Sequence, residues 1–237
     1  MAFRMLFEPL DVVQLATPAV DQIDIDRTAA KIRQFKANSS KKSYNAAIAY
    51  AEAFASGRAS LSAALAGFDD VDPEWWARHL KAVTEMLHGT LANNGSVWRS
   101  LGRRPVEVFD GIWFKPAIRG AWKHGFRRDA ALVNPRFGVK LPQSSLAFLA
   151  RAVVEFHLRD ELNLTGLAIL DYGRHELEAR RTNRVLHEEH LTIMGEAAFV
   201  EALKRFVIAA RLAGADLQPR EAERIRDLFR MPRFKWD

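Results

Sequence analysis

The chain has no cysteine in 237 residues. That absence excludes disulfide scaffolds, Cys-ligated zinc sites, thiolate nucleophiles and iron–sulfur clusters together, and it fits a reducing compartment. Long apolar runs are missing as well. The apolar start is interrupted by Glu8, Pro9 and Asp11 before it reaches the length of a signal-peptide core. No stretch approaches the roughly 18 apolar residues of a membrane span. The expectation is a cytoplasmic protein with no membrane partner. The 13 glycines never fall two apart, so neither G-x-G-x-x-G nor G-x-S-x-G can occur, and no Walker or H-E-x-x-H pattern is present. No cofactor is expected.

What is present suffices for a folded protein: 49% hydrophobic residues in a chain of this length can build a substantial core. There is no internal repeat and no low-complexity linker, so one domain over 1–237, single or bilobal, is expected. Both ends, 1–20 and 231–237, carry aromatic and aliphatic residues outside a helical period. They read either as parts of the same core or as arms that dock on other subunits or on further copies of the chain.

Charge is unevenly placed. Between Val97 and Lys140 lie ten Lys and Arg against three acids, a local +7 in a chain whose net charge is +6. A field of one sign concentrated in one stretch attracts polyanions better than the same charge spread evenly.

Apolar periodicity predicts helices near 24–35, 44–54, 59–66, 73–92, 144–158 and 199–214, and another from Pro219, with a polar, basic loop over 36–43. Asp110-Gly111 between two β-prone runs predicts a hairpin near 106–115. The segment Leu164–Leu170 reads as buried strand or helix, and 174–191 as a polar, solvated helix. The expected fold class is therefore mainly α: a compact multi-helix domain with one small β-hairpin.

In the basic stretch Lys115, Arg119, Lys123 and Arg127 recur every fourth residue, one place behind Phe114, Ile118, Trp122 and Phe126. Lys115 precedes Pro116 and so disfavours helical geometry, and the spacing predicts a helix from Pro116 to about Ala131. On it, Arg119, Lys123 and Arg127 form a slowly turning basic ridge beside Ile118, Trp122 and Phe126. A basic ridge beside exposed rings is how single strands are gripped, with cations on phosphates and rings on bases. The plainer alternative makes the apolar ridge core, with the cation stems packed along it and their heads in water.

Catalytic signatures are weak. His187 and His190 in His-Glu-Glu-His share a helix face if 174–191 is helical, and His175 lies twelve residues earlier, a possible metal set. A single Glu85-x-x-His88 lacks the second motif that a di-metal bundle needs. The expected function is nucleic-acid binding, RNA or DNA with single strands slightly favoured, by a non-catalytic subunit of a nucleoprotein assembly. Arg99, Arg103, Arg104, Lys115, Arg119, Lys123, Arg127 and Arg128 are the expected phosphate contacts, and Trp122 a stacking ring. The alternatives are a metal-dependent hydrolase or nuclease using His187 and His190, and a scaffold whose basic stretch meets an acidic partner.

Overall fold

The computed structural model describes residues 5–37, 44–55, 57–92, 97–100, 106–109, 112–115, 118–136, 141–155, 164–173 and 181–214. The first part follows the apolar periodicity from residue 24 onward, while its short opening helix falls within 1–20, a stretch outside any helical period as sequence. This part contains α1 (Pro9–Leu15), α2 (Ile25–Ala37), α3 (Asn45–Ala55), α4 (Leu61–Ala66) and α5 (Glu74–Ala92). Local chemistry sets their ends. Gly57 at φ +73° turns the chain after α3, a conformation that glycine adopts without strain. The Ser60 hydroxyl accepts the Ala63 N–H at 3.2 Å and caps α4. Along α5, Trp76, Leu80, Val83, Leu87 and Leu91 are buried on one face.

After α5 the expected mainly α architecture is overturned. The chain forms a five-stranded mixed sheet of β2 (Val97–Ser100), β5 (Ile118–His124), β6 (Arg127–Asn134), β7 (Gly166–Asp171) and β8 (Arg184–His187), side by side in that order. β6 and β7 are parallel and joined through α6 (Gln143–Val153); the other neighbours are antiparallel. The hairpin expected near 106–115 is present as β3 (Val106–Phe109) and β4 (Ile112–Phe114), with β1 (Met5–Phe7) added in parallel to β4. Its Asp110-Gly111 turn lies outside the described residues. The predicted 116–131 helix is instead the β5–β6 hairpin. A spacing of four residues is close to one helical turn and is also two full periods of a strand, so the cation and apolar series fit both.

The sheet is covered on both faces. Ala131, Val133, Ala168 and Leu170 pack with Trp76, Leu80, Val83 and Leu87 of α5. Ala130, Leu132, Leu167 and Ile169 pack into a second core with α1, α2, α6 and α7 (Glu196–Gly214). Alternate residues of β6 and β7 thus enter different cores. Strands buried on both sides read as continuous apolar runs without alternation, which is why Leu164–Leu170 is ambiguous as sequence. Phe206 on α7 meets the rings of Phe7 and Phe114 at 5.1 and 6.4 Å, tying the small sheet to the second core; such a ring is worth about 3–5 kcal/mol against alanine.

Residues 5–20 belong to this same core, through Phe7, Leu10, Val12, Leu15 and Val20. Arg136, just past β6, holds α1 by donating to Asp11 at 2.6 Å and Gln14 at 2.8 Å. Residues 231–237 and the helix expected from Pro219 lie outside the described residues. The polar helix expected over 174–191 is also corrected: β8 and a single 3-10 turn, Glu188–His190, occupy its second half. Among the described residues no helix is long and apolar enough to cross a membrane.

Candidate nucleic-acid interface

The β5–β6 hairpin turns through only two residues, Gly125 and Phe126, between the paired His124 and Arg127. Gly125 has φ +56°, and no non-glycine residue has positive φ among those described. This is the mirror-image turn with glycine first, whose twist matches that of antiparallel strands. Phe126, at the tip, is fully exposed at 106% of its reference area. A phenylalanine left in water forgoes about 1.5–3 kcal/mol of burial.

One step down the ladder, Lys123 faces Arg128. The N–H of Arg128 donates to the Thr165 hydroxyl at 2.8 Å, and its carbonyl accepts the Thr165 N–H at 2.8 Å. Both main-chain groups therefore turn toward the β7 side. Lys123 and Arg128 form a non-hydrogen-bonded pair, the kind in which opposed side chains lie closest. Among the described residues neither cation has a carboxylate partner. Two like charges placed directly opposite destabilise a hairpin. Exposed Val97 stands across from Lys123 on the other side, at the edge of the sheet.

The hairpin's feet are fixed by the opposite face of the same strands. The carboxylate of Asp129 is fully buried; Arg127 Nε approaches its Oδ1 at 3.4 Å and His187 Nδ1 its Oδ2 at 3.2 Å. An ionised carboxylate only accepts, so it fixes the orientation of the imidazole, which stacks on Trp122 with ring centroids 5.6 Å apart and planes 22° apart. Arg127 also donates to Glu189 at 2.8 Å. That bond holds the Arg127 guanidinium more firmly protonated. The Glu189 carboxyl is drawn below its usual range, first by its own backbone N–H and then by Arg127. Gly166 sits beneath this group: a Cβ there would lie 2.8 Å from Asp129 Oδ1 and 3.0 Å from both Arg127 and Glu188.

The expected site residues do not share one surface. Lys123, Arg127 and Arg128 gather at the hairpin end. Arg119 is on β5 and Arg99 on neighbouring β2, opposite Ala121. Lys115 lies at the far end of the fold, where its N–H donates to the Phe7 carbonyl at 2.8 Å beside the Glu8–Arg136 pair. Six residues of β6 separate that end from Arg128, roughly 20 Å of strand. Arg103, Arg104 and His175 lie outside the described residues. Trp122 is 1% exposed with a face already on His187, so it has no surface to give a base. His190 is exposed, and His187 is committed to Asp129. Among the described residues no group of three or more His, Asp or Glu is placed to hold a metal.

Phe126 is the residue that sequence reasoning misplaced, as one member of an apolar helix ridge. The signal for its true position is Gly125-Phe126 itself: a glycine-first pair between two strand-length runs is a two-residue hairpin loop. Compared with protein-family models, with curated proteins and with solved structures, the chain matches none of them.

Proposed function

We propose that this protein binds nucleic acid through the phosphate backbone at the β5–β6 hairpin end of its sheet, as a non-catalytic subunit of a cytoplasmic nucleoprotein assembly. The observation that carries the reading is the Lys123–Arg128 pair: two like charges held face to face, without an internal counter-ion among the described residues. Their neighbours are different. Arg127 and Arg136 are paired with internal carboxylates, and so is Arg184 with Asp171. A cation left unpaired at a stability cost suits an external anion, and a phosphodiester strand supplies anions at regular spacing. Arg119, also on β5, and Arg99, on neighbouring β2, are included in the proposed contact. Phosphate contacts set position, not sequence, so weak sequence preference is expected.

Fluorescence anisotropy tests this. Labelled single-stranded RNA, single-stranded DNA and duplex DNA are titrated at about 50 and 200 mM salt, with wild type beside Lys123→Glu/Arg128→Glu. Affinity that falls steeply with salt and collapses in the double variant is the expected result. Absence of binding to all three at low salt would sink the proposal, and tight capture of an acidic protein in its place would move the hairpin to the scaffold reading.

A further inference from the structure

Phosphate contact alone leaves Phe126 unexplained. A turn with glycine first accepts almost any residue second, and small polar ones suit it well; nothing in the backbone calls for a ring. The loop is two residues long, and its strands reach the buried pair Trp122 and Asp129 two ladder steps below the closing pair His124–Arg127. The ring is therefore carried at the tip of a paired hairpin, where it stands clear of its own domain. Lys123, Arg127 and Arg128 stand within three residues of it. A bilayer or a protein partner covers a broad apolar surface, whereas here a single flat ring projects among cations. That combination matches one π-face next to a line of phosphates.

We infer that Phe126 is a stacking platform for an unpaired base, held at the point where the hairpin cations take the adjoining phosphates. The inference rests on the phosphate reading above and adds a ligand class to it: single strands, or strand ends that fray, in preference to blunt duplex. Bases inside an intact duplex have their faces occupied by their neighbours, so the ring gains nothing there.

The test uses the full chain and three labelled ligands: a 20-nucleotide single strand, the same strand with central abasic positions, and a blunt duplex. Wild type is compared with Phe126→Ala, Phe126→Trp and Lys123→Ala/Arg128→Ala. Phe126 is fully exposed, so its substitution leaves the core intact. Phe126→Ala is expected to weaken binding to the intact strand about 5- to 100-fold, with the salt slope unchanged because no charge is removed. Phe126→Trp restores the affinity. On the abasic strand wild type and Phe126→Ala bind alike. Equal affinity of Phe126→Ala and wild type for the intact strand overturns the platform while leaving the phosphate reading standing, and so does an equal loss on the abasic strand. If wild type binds no nucleic acid, both fall. Binding to vesicles of phosphatidylcholine and phosphatidylserine that is lost in Phe126→Ala would then assign the tip to a membrane surface.

Discussion

Reversing one charge of the facing pair should make the protein more stable and less able to bind. In wild type, Lys123 and Arg128 oppose each other across the closer type of antiparallel pair. Arg128→Glu replaces repulsion by attraction without touching the main-chain bonds to Thr165, the only hydrogen bonds described for Arg128. Opposite charges at such positions contribute about 0.2–1 kcal/mol and like charges cost a similar amount, so the swing is about 0.5–1.5 kcal/mol. For a chain of this size each kcal/mol moves Tm by about 2–4 °C, giving a rise of about 1–6 °C at low ionic strength. Raising salt to about 0.5 M shortens the Debye length to roughly 4–5 Å and should erase most of the gain. Lys123→Glu should behave likewise, and Lys123→Glu/Arg128→Glu should return Tm toward wild type because repulsion is restored. That double-mutant cycle isolates the pair from each residue's other effects. The same Arg128→Glu protein should bind single strands more weakly, with the slope of log affinity against log salt reduced by about 1. The reasoning is refuted if Arg128→Glu lowers Tm and leaves binding unchanged, because Arg128 then serves the fold and not a ligand.

Two further outcomes follow from the buried polar groups. Burial pushes the Tyr172 phenol up to about 12, against the opposing hydrogen bond with Thr90 at 2.6 Å. Its folded value lies above its unfolded value near 10, so its contribution is complete below about pH 10 and is lost as pH rises toward 12, at up to about 1.4 kcal/mol per pH unit. Urea unfolding between pH 10 and 11.5 should show this slope in wild type and not in Tyr172→Phe, which at neutral pH loses only about 0.5–1.5 kcal/mol with the hydrogen bond; parallel pH slopes in the two proteins would count against it. At the far end of the sheet, buried Asp171 accepts from Asn134 at 2.8 Å, from Arg184 Nε at 3.1 Å and from the Gly173 N–H at 3.2 Å. Asp171→Ala strands two amide donors, of Asn134 and Gly173, and should cost about 2–6 kcal/mol, whereas Arg184→Ala removes a side chain still 42% exposed and should cost about 1 kcal/mol; similar losses in both would mean that the ion pair dominates over the amides.

The helices between Asp24 and Ala92 are legible because apolar residues recur along them in helical phase, whereas the short α1, with five of its seven residues buried, has no such phase and reads as an arm. On α5, Leu80, Val83, Leu87 and Leu91 keep that phase. The sheet was hidden by the opposite circumstance. β6 and β7 send alternate residues into two cores, so Ala130-Ala131-Leu132-Val133 and Leu167-Ala168-Ile169-Leu170 carry no period at all. In β5, Trp122 and its neighbour Ala121 are both buried, and only spacing-of-four residues stood out, a pattern shared by both geometries. The 106–115 hairpin was readable because Asp-Gly is a strong turn pair, while Gly125-Phe126 has a bulky apolar residue where turns usually place a small polar one.

The charge excess was legible as a number and illegible as a surface, and the acids decide the difference. Arg127 lies one residue from Arg128 in sequence, and strand alternation sends them to opposite faces of the sheet. On the Arg127 side stand buried Asp129 and, from β8 and the turn after it, His187 and Glu189. On the Arg128 side stands Lys123. One cation is therefore consumed as structure, holding the carboxylate that anchors the hairpin, and its neighbour is left facing another positive charge. Glu189 and His187 are some sixty positions away in the chain, so no count within 97–140 could include them. A sequence excess marks where a polyanion site is affordable; which of its cations remain for a ligand depends on the acids that folding brings from elsewhere, and here that selection leaves the hairpin tip with Lys123, Arg128 and the ring of Phe126.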